Sequence, residues 1–166
     1  PRPQSIERPY PVYAAREMTD RIEKLTGPQG RGLWIGTFHS MCTRLLRRNA
    51  DRLGYPRNFT IYDTDEQKAL LKKIIKTLGW DSETWNANKV KNKISHAKNH
   101  LVSAAKMADA ARREDQQRLA RIYEIYQEEL KGAGAVDFDD LLNLTVELLA
   151  DHDDVRLQYQ LQFEHV

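Results

Sequence analysis

The sequence predicts a mainly α-helical fold with a few short strands. Three features carry that reading. Apolar residues return every three to four positions through most of the 166 residues, which places them on one face of successive helices. Glycine or proline stands at many of the breaks between those stretches. Strand character is confined to short runs, 33–38, 59–62 and the last residues from Phe163.

Residues 1–11 carry four prolines and are expected to be irregular. Val12, Ala15, Met18, Ile22 and Leu25 then fall near one face of a helix over 12–25, ended by Gly27-Pro28. A loop leads to the strand-like run 33–38. His39 to Leu53 reads as a helix with Cys42, Leu45, Leu46 and Leu53 inward, closed by Gly54. Thr64 and Gln67 have capping-box spacing at the start of the next helix, whose buried stripe is Leu70, Leu71, Ile74, Ile75 and Leu78. Residues 86–99 form a basic helix with Val90, Ile94 and Ala97 inward. Helices over 103–113 and 115–131 follow, then a break at GAGA (132–135). Asp137 caps a helix built on Leu141, Leu142, Thr145, Leu148 and Leu149, and a last helix lies near 152–162. A strand is expected to begin at Phe163, which marks the sequence as truncated relative to a parent protein.

At 40% apolar and 30% charged residues, the chain suits one domain, or one domain with a small inserted lobe. No stretch approaches the roughly 18 apolar residues of a membrane helix, and residues 1–11 lack the apolar segment of a signal peptide. A single cysteine, Cys42, excludes an internal disulfide and any multi-cysteine zinc site, so a reducing, cytoplasmic setting is expected. The net charge of +2 is the sum of +7 over 1–79, +2 over 80–131 and −7 over 132–166. A basic first half is what a phosphate-tracking surface needs, and equally what an ordinary solvated helical surface can show.

Neither GxxxxGK[ST] nor GxGxxG occurs, so no glycine-rich loop cradles a phosphate and no nucleotide cofactor is expected. There is no HExxH, and the histidines are read as forming no other close pair, so no zinc site is expected. Ser40 lacks a nucleophile elbow, so no catalytic residue is assigned. Asp137-Phe138-Asp139-Asp140 reads as a helix N-terminus rather than a metal site, because carboxylates there meet free N–H groups and the positive end of the macrodipole. Gly36-Thr37-Phe38-His39-Ser40 joins a strand-like run to a helix. Hydroxyls, an imidazole and helix N–H groups converge there as in a phosphate-contact site, and an exposed Phe38 could stack on a base. Equally, Thr37 or Ser40 simply caps the helix and Phe38 is core.

Five segments taken in order resemble the UvrD/PcrA/Rep group of superfamily 1 DNA helicases: AAREMTDRIEKL (14–25), WIGTFHSMCTRLLRR (34–48), FTIYDTDEQKALLKKIIK (59–76), ISHAKNHL (94–101) and VDFDDLLNLTVELL (136–149). TFHS or DFDDLL alone would be weak; the ordered set is specific. The resemblance implies that 1–54 belong to a RecA-like α/β motor domain, 55–134 to the inserted helical subdomain called 1B, and 135–166 to the motor domain again. It places the family's Walker A loop before residue 1 and its Walker B segment after Val166. ATP and Mg²⁺ are then ligands of the parent enzyme, and this chain alone is expected to be inactive as an ATPase.

The resemblance also implies DNA, single-stranded or at a junction, as partner. Thr37, Phe38 and His39 match the family's strand-binding segment. Tyr10 falls where a base-stacking phenylalanine stands, although Pro9-Tyr10-Pro11-Val12-Tyr13 otherwise departs from the family's pattern. Lys91 and Lys98, seven apart and so on one helix face, match basic residues of the 1B subdomain. Two other readings stand beside this one: a helical protein-interaction module that does not handle DNA, and an ATPase whose missing loops come from another chain. Self-association through exposed motor-domain surface is a further expectation.

Overall fold

The structure, a computed structural model, describes residues 10–27 and 33–163, with side chains from Arg16 onward. Its elements in order are α1 (Tyr10–Thr26), α2 (Phe38–Asn49), a 3-10 turn (Ala50–Leu53), β1 (Thr60–Ile61), α3 (Thr64–Thr77), α4 (Ala87–Asn99), α5 (Ala104–Ala110), α6 (Glu114–Gly132), β2 (Ala135–Val136), α7 (Phe138–Asp151) and α8 (Asp153–Gln162). Among the described residues the fold is mainly α, as the periodicity predicts, with one two-stranded parallel sheet. No helix among the described residues is long and apolar enough to cross a membrane.

The chain divides into two compact units after Arg44. In the first, α1 starts earlier than expected, with Pro11 in its first turn, where a missing N–H costs nothing. The run 33–38, expected as a strand, is irregular over 33–37, and its last residue, Phe38, opens α2. A strand needs a ladder partner, and none pairs with it among the described residues. Arg44 lies over the Trp34 ring at 4.2 Å, and Thr37 starts α2.

The second unit is built around α3, α4 and α6. Leu71, Ile74 and Ile75 of α3, Val90, Ile94 and Ala97 of α4, and Ile122, Tyr123, Tyr126 and Leu130 of α6 form one buried cluster. Along each helix these positions recur at steps of three and four, so the stripe read from sequence is the stripe that packs. The N-cap of α3 is Asp63, one residue before the expected Thr64. Its carboxylate accepts from the Asp65 and Glu66 N–H groups, and Glu66 answers by accepting from the Asp63 N–H. Gln67, expected in that reciprocal role, is buried and donates to the Tyr62 carbonyl.

The helix expected over 39–53 ends at Asn49 and tightens into the 3-10 turn before Gly54 at φ 73°. The GAGA break leads directly into β2, which pairs with β1 in the register Thr60↔Ala135 and Ile61↔Val136. That pairing joins segments 75 positions apart in sequence, and it sets β2 and the start of α7 beside α4 and α6.

Candidate nucleic-acid interface

The entrance to α2 is assembled by Thr37. Its Oγ1 accepts from the Ser40 N–H at 3.3 Å, while its carbonyl accepts from the Ser40 hydroxyl at 2.7 Å and the Met41 N–H at 3.0 Å. Thr37 is therefore a helix cap, satisfying donors that the first turn leaves open. Gly36 is part of the same construction. A Cβ there would run into the Ser40 Oγ and come within 2.8 Å of the Met41 terminal methyl. Phe38 follows the cap, and its ring is 84% exposed. The reading of Phe38 as core does not hold, since most of its apolar surface faces water. His39 is partly buried. Tyr10 opens α1, and its side chain lies outside the described residues.

The lysines of α4 do not form one surface. Lys89 and Lys93 are exposed and Lys91 is partly buried, whereas Lys98 is 1% exposed. This corrects the expectation that Lys98 offers its charge to a DNA phosphate. Its ammonium donates to Asp137 Oδ2 and Asp140 Oδ1, both at 2.7 Å. The spacing that puts Lys91 and Lys98 on one helix face is sound, but the end of that face turns inward.

Lys98 is the centre of a buried polar cluster. The Tyr126 hydroxyl donates to Asp137 Oδ2 at 3.0 Å, and the Gln127 amide donates to Asp140 Oδ1 at 3.2 Å. Asp137 Oδ1 accepts from the Asp140 N–H and Asp140 Oδ2 from the Asp137 N–H, which closes a reciprocal cap on α7. Asn143 adds a bond from its side chain to the Lys98 carbonyl at 3.0 Å. The helix-cap reading of the acidic run is thus right about Asp137, and it missed the counter-ion lying 39 residues upstream.

One cation among two carboxylates leaves a buried excess of negative charge. Burial pushes the Asp140 carboxyl up to about 6; the Asp137 carboxylate adds to this and the Lys98 ammonium opposes it. Burial also raises the Tyr126 hydroxyl far above the ordinary tyrosine range, with Asp137 adding to it, so the phenol stays protonated and donates. Three elements of different sequence origin, α4, α6 and α7, are locked together here.

A second feature escaped the sequence reading. The expectation that the histidines form no close pair is corrected: His96, in the last turn of α4, and His100, the residue that caps its C-terminus, bring their rings to 4.3 Å. The spacing itself was the available signal.

The chain matches the family model described as the UvrD/REP helicase N-terminal domain over residues 12–166. It is 40% identical over 154 residues to a protein of Leuconostoc citreum named ATP-dependent DNA helicase PcrA. It is also 40% identical over 153 residues to the protein of that name from Staphylococcus aureus, and 38% identical to that of Staphylococcus epidermidis. Each match covers 92% of this chain but 21% of the relative, so the chain spans about a fifth of the length of the curated proteins it resembles.

Proposed function

The chain belongs to the UvrD/REP helicase N-terminal domain family, and on that premise we propose that it is part of an ATP-dependent DNA helicase whose retained activity is contact with DNA. The contact centres on the start of α2. One observation carries this reading: Phe38, a large apolar ring with 84% exposure, stands at the first turn of a helix directly after a capping threonine. An exposed aromatic beside helix N–H groups offers a base a stacking surface and the adjoining phosphate a positive pole. His39 adds a polar edge there. By resemblance, the partly buried Lys91 of α4, with the exposed Lys89 and Lys93 on the same helix, is also proposed to contact DNA. Tyr10 completes the proposed set by resemblance.

ATP and Mg²⁺ are proposed as ligands of the whole helicase. Phosphoryl transfer requires a phosphate-binding loop with its lysine and a metal-holding carboxylate. The sequence here contains no such loop, and Asp139 and Asp140 serve helix α7 rather than a metal. Self-association is proposed through apolar surface such as Leu157 and Leu161 of α8, which are 54% and 80% exposed; a monomeric mass by light scattering at high concentration would count against it.

Fluorescence anisotropy with a labelled single-stranded oligonucleotide tests the DNA contact. Binding is expected to be weak, largely independent of sequence, and to fall steeply as salt rises because phosphate contacts release counter-ions. Binding that fails at low salt, or that ignores salt, would leave the helical interaction module as the better account.

A further inference from the structure

We propose that His96 and His100 form a two-point chelate for a borderline divalent transition-metal ion, Cu²⁺ above Ni²⁺ and Zn²⁺, at the C-terminal end of α4, where His100 is the capping residue. The pair shares no residue with the buried Lys98 cluster or with the residues proposed to contact DNA. Residues four apart on a helix stand one above the other, and here both imidazoles are exposed, with ring centroids 4.3 Å apart and planes tilted by 46°. Two nitrogens sharing one ion at metal–nitrogen distances of about 2.0–2.1 Å must lie about 3 Å apart. With His100 held by its backbone bond, closing the rings from 4.3 Å to that separation falls to rotation of the His96 side chain.

The hydrogen-bonding pattern prepares one of the two ligands. His100 Nδ1 is 2.8 Å from the His96 carbonyl oxygen. A carbonyl oxygen only accepts, so Nδ1 carries the proton and the lone pair sits on Nε2, pointing away from the backbone. A metal-bound histidine is commonly held this way, with its second nitrogen donating to a carbonyl. The fold supplies that arrangement without the ion.

The surroundings decide the class of ion. Both rings line an open cavity of about 640 Å³, together with Asn92, Lys93 and Met107. No carboxylate lines it, which disfavours Mg²⁺ and Ca²⁺, since those need several oxygen ligands. Imidazole nitrogens suit Cu²⁺, Ni²⁺ and Zn²⁺, with copper strongest. Lys93 is the one fixed charge in the lining and repels a cation, so the site is weaker than a closed structural one, and water fills the remaining positions.

Isothermal titration of the full chain with Cu²⁺ alone tests the proposal. The wild-type chain is expected to bind one ion with a strong phase that disappears in His96→Ala, in His100→Asn and in the double variant alike. Asparagine at 100 keeps an amide able to donate to the His96 carbonyl, so its loss of binding cannot be assigned to unfolding. His152→Ala is expected to keep the strong phase. Ni²⁺ is also expected to raise the melting temperature only where both imidazoles are present. A wild-type titration no stronger than that of the double variant, meaning an adventitious ion only, would overturn the chelate. So would either single variant that binds as tightly as wild type.

Discussion

Replacing Lys98 with methionine would remove a charge while keeping most of the buried aliphatic volume. Asp137 and Asp140 would then stay in the interior with side chains only 3% and 5% exposed, having lost a cation 2.7 Å from each. Breaking a buried pair by removing one partner costs about 3–5 kcal/mol, because the remaining charge can neither reach water nor find a new partner. For a chain of this size each kcal/mol corresponds to about 2–4 °C in melting temperature, so a drop of about 6–20 °C is expected. The assay is a circular-dichroism melt at neutral pH. Adding Asp140→Asn to Lys98→Met removes one of the stranded charges and is expected to recover part of the loss. If Lys98 instead worked on the surface, its loss would leave the melt within about 2 °C of wild type and weaken DNA binding. That outcome would refute the buried-counter-ion account.

Further expectations follow from single residues. The folded state holds the Asp140 carboxyl at about 6, above its ordinary value of 3.8, so it favours the proton. The stability this group contributes is fully present below its unfolded value and is lost as pH rises through about 6. Denaturant titrations across that window are expected to show the loss in the wild type and a flatter profile in Asp140→Asn; parallel profiles would contradict it. Leu101 sits in the left-handed region at φ 54°, where it ends α4 with the Val102 N–H bonded back to the Ala97 carbonyl. An L-residue there costs about 1–2 kcal/mol and glycine almost nothing, so Leu101→Gly is expected to stabilise by up to about 1 kcal/mol after its larger unfolded-state entropy is counted. A destabilised variant would show that the half-exposed leucine side chain matters more than its backbone. Asp63→Ala removes both bonds that cap α3 and is expected to cost about 1 kcal/mol by the same melt, with no change meaning that water replaces the cap.

Much of the architecture was legible because helical periodicity records which side of a segment is buried. Val90, Ile94 and Ala97 were placed inward from spacing alone, and they are. What spacing records poorly is the polar content of that side. Lys98 occupies the same stripe as Ile94, and a lysine there reads as surface until its two carboxylates are located on a distant helix. The β1–β2 pairing was hidden for a similar reason: two residues per strand are too few for an alternation pattern, and the partners are far apart in sequence. Capping signals were ambiguous by one residue because Asp63-Thr64 followed by Glu66-Gln67 offers two overlapping boxes, and the carboxylate pair formed. At the start of α2 the residues left two readings of equal standing. The structure assigns Thr37 to the cap and leaves Phe38 in water, so one residue follows each reading.

The proposed DNA contact is tested most directly by Phe38→Ala. Thr37 is the poorer probe, because its loss also uncaps α2. Phe38 is 84% exposed, so its truncation is expected to leave the melting temperature unchanged. Stacking of one base on an aromatic ring is worth about 1–3 kcal/mol by alanine substitution, so anisotropy with a single-stranded oligonucleotide at low salt is expected to show about a 5- to 150-fold loss of affinity. Wild-type affinity in a folded Phe38→Ala chain would contradict the proposal that the start of α2 is where this chain meets DNA.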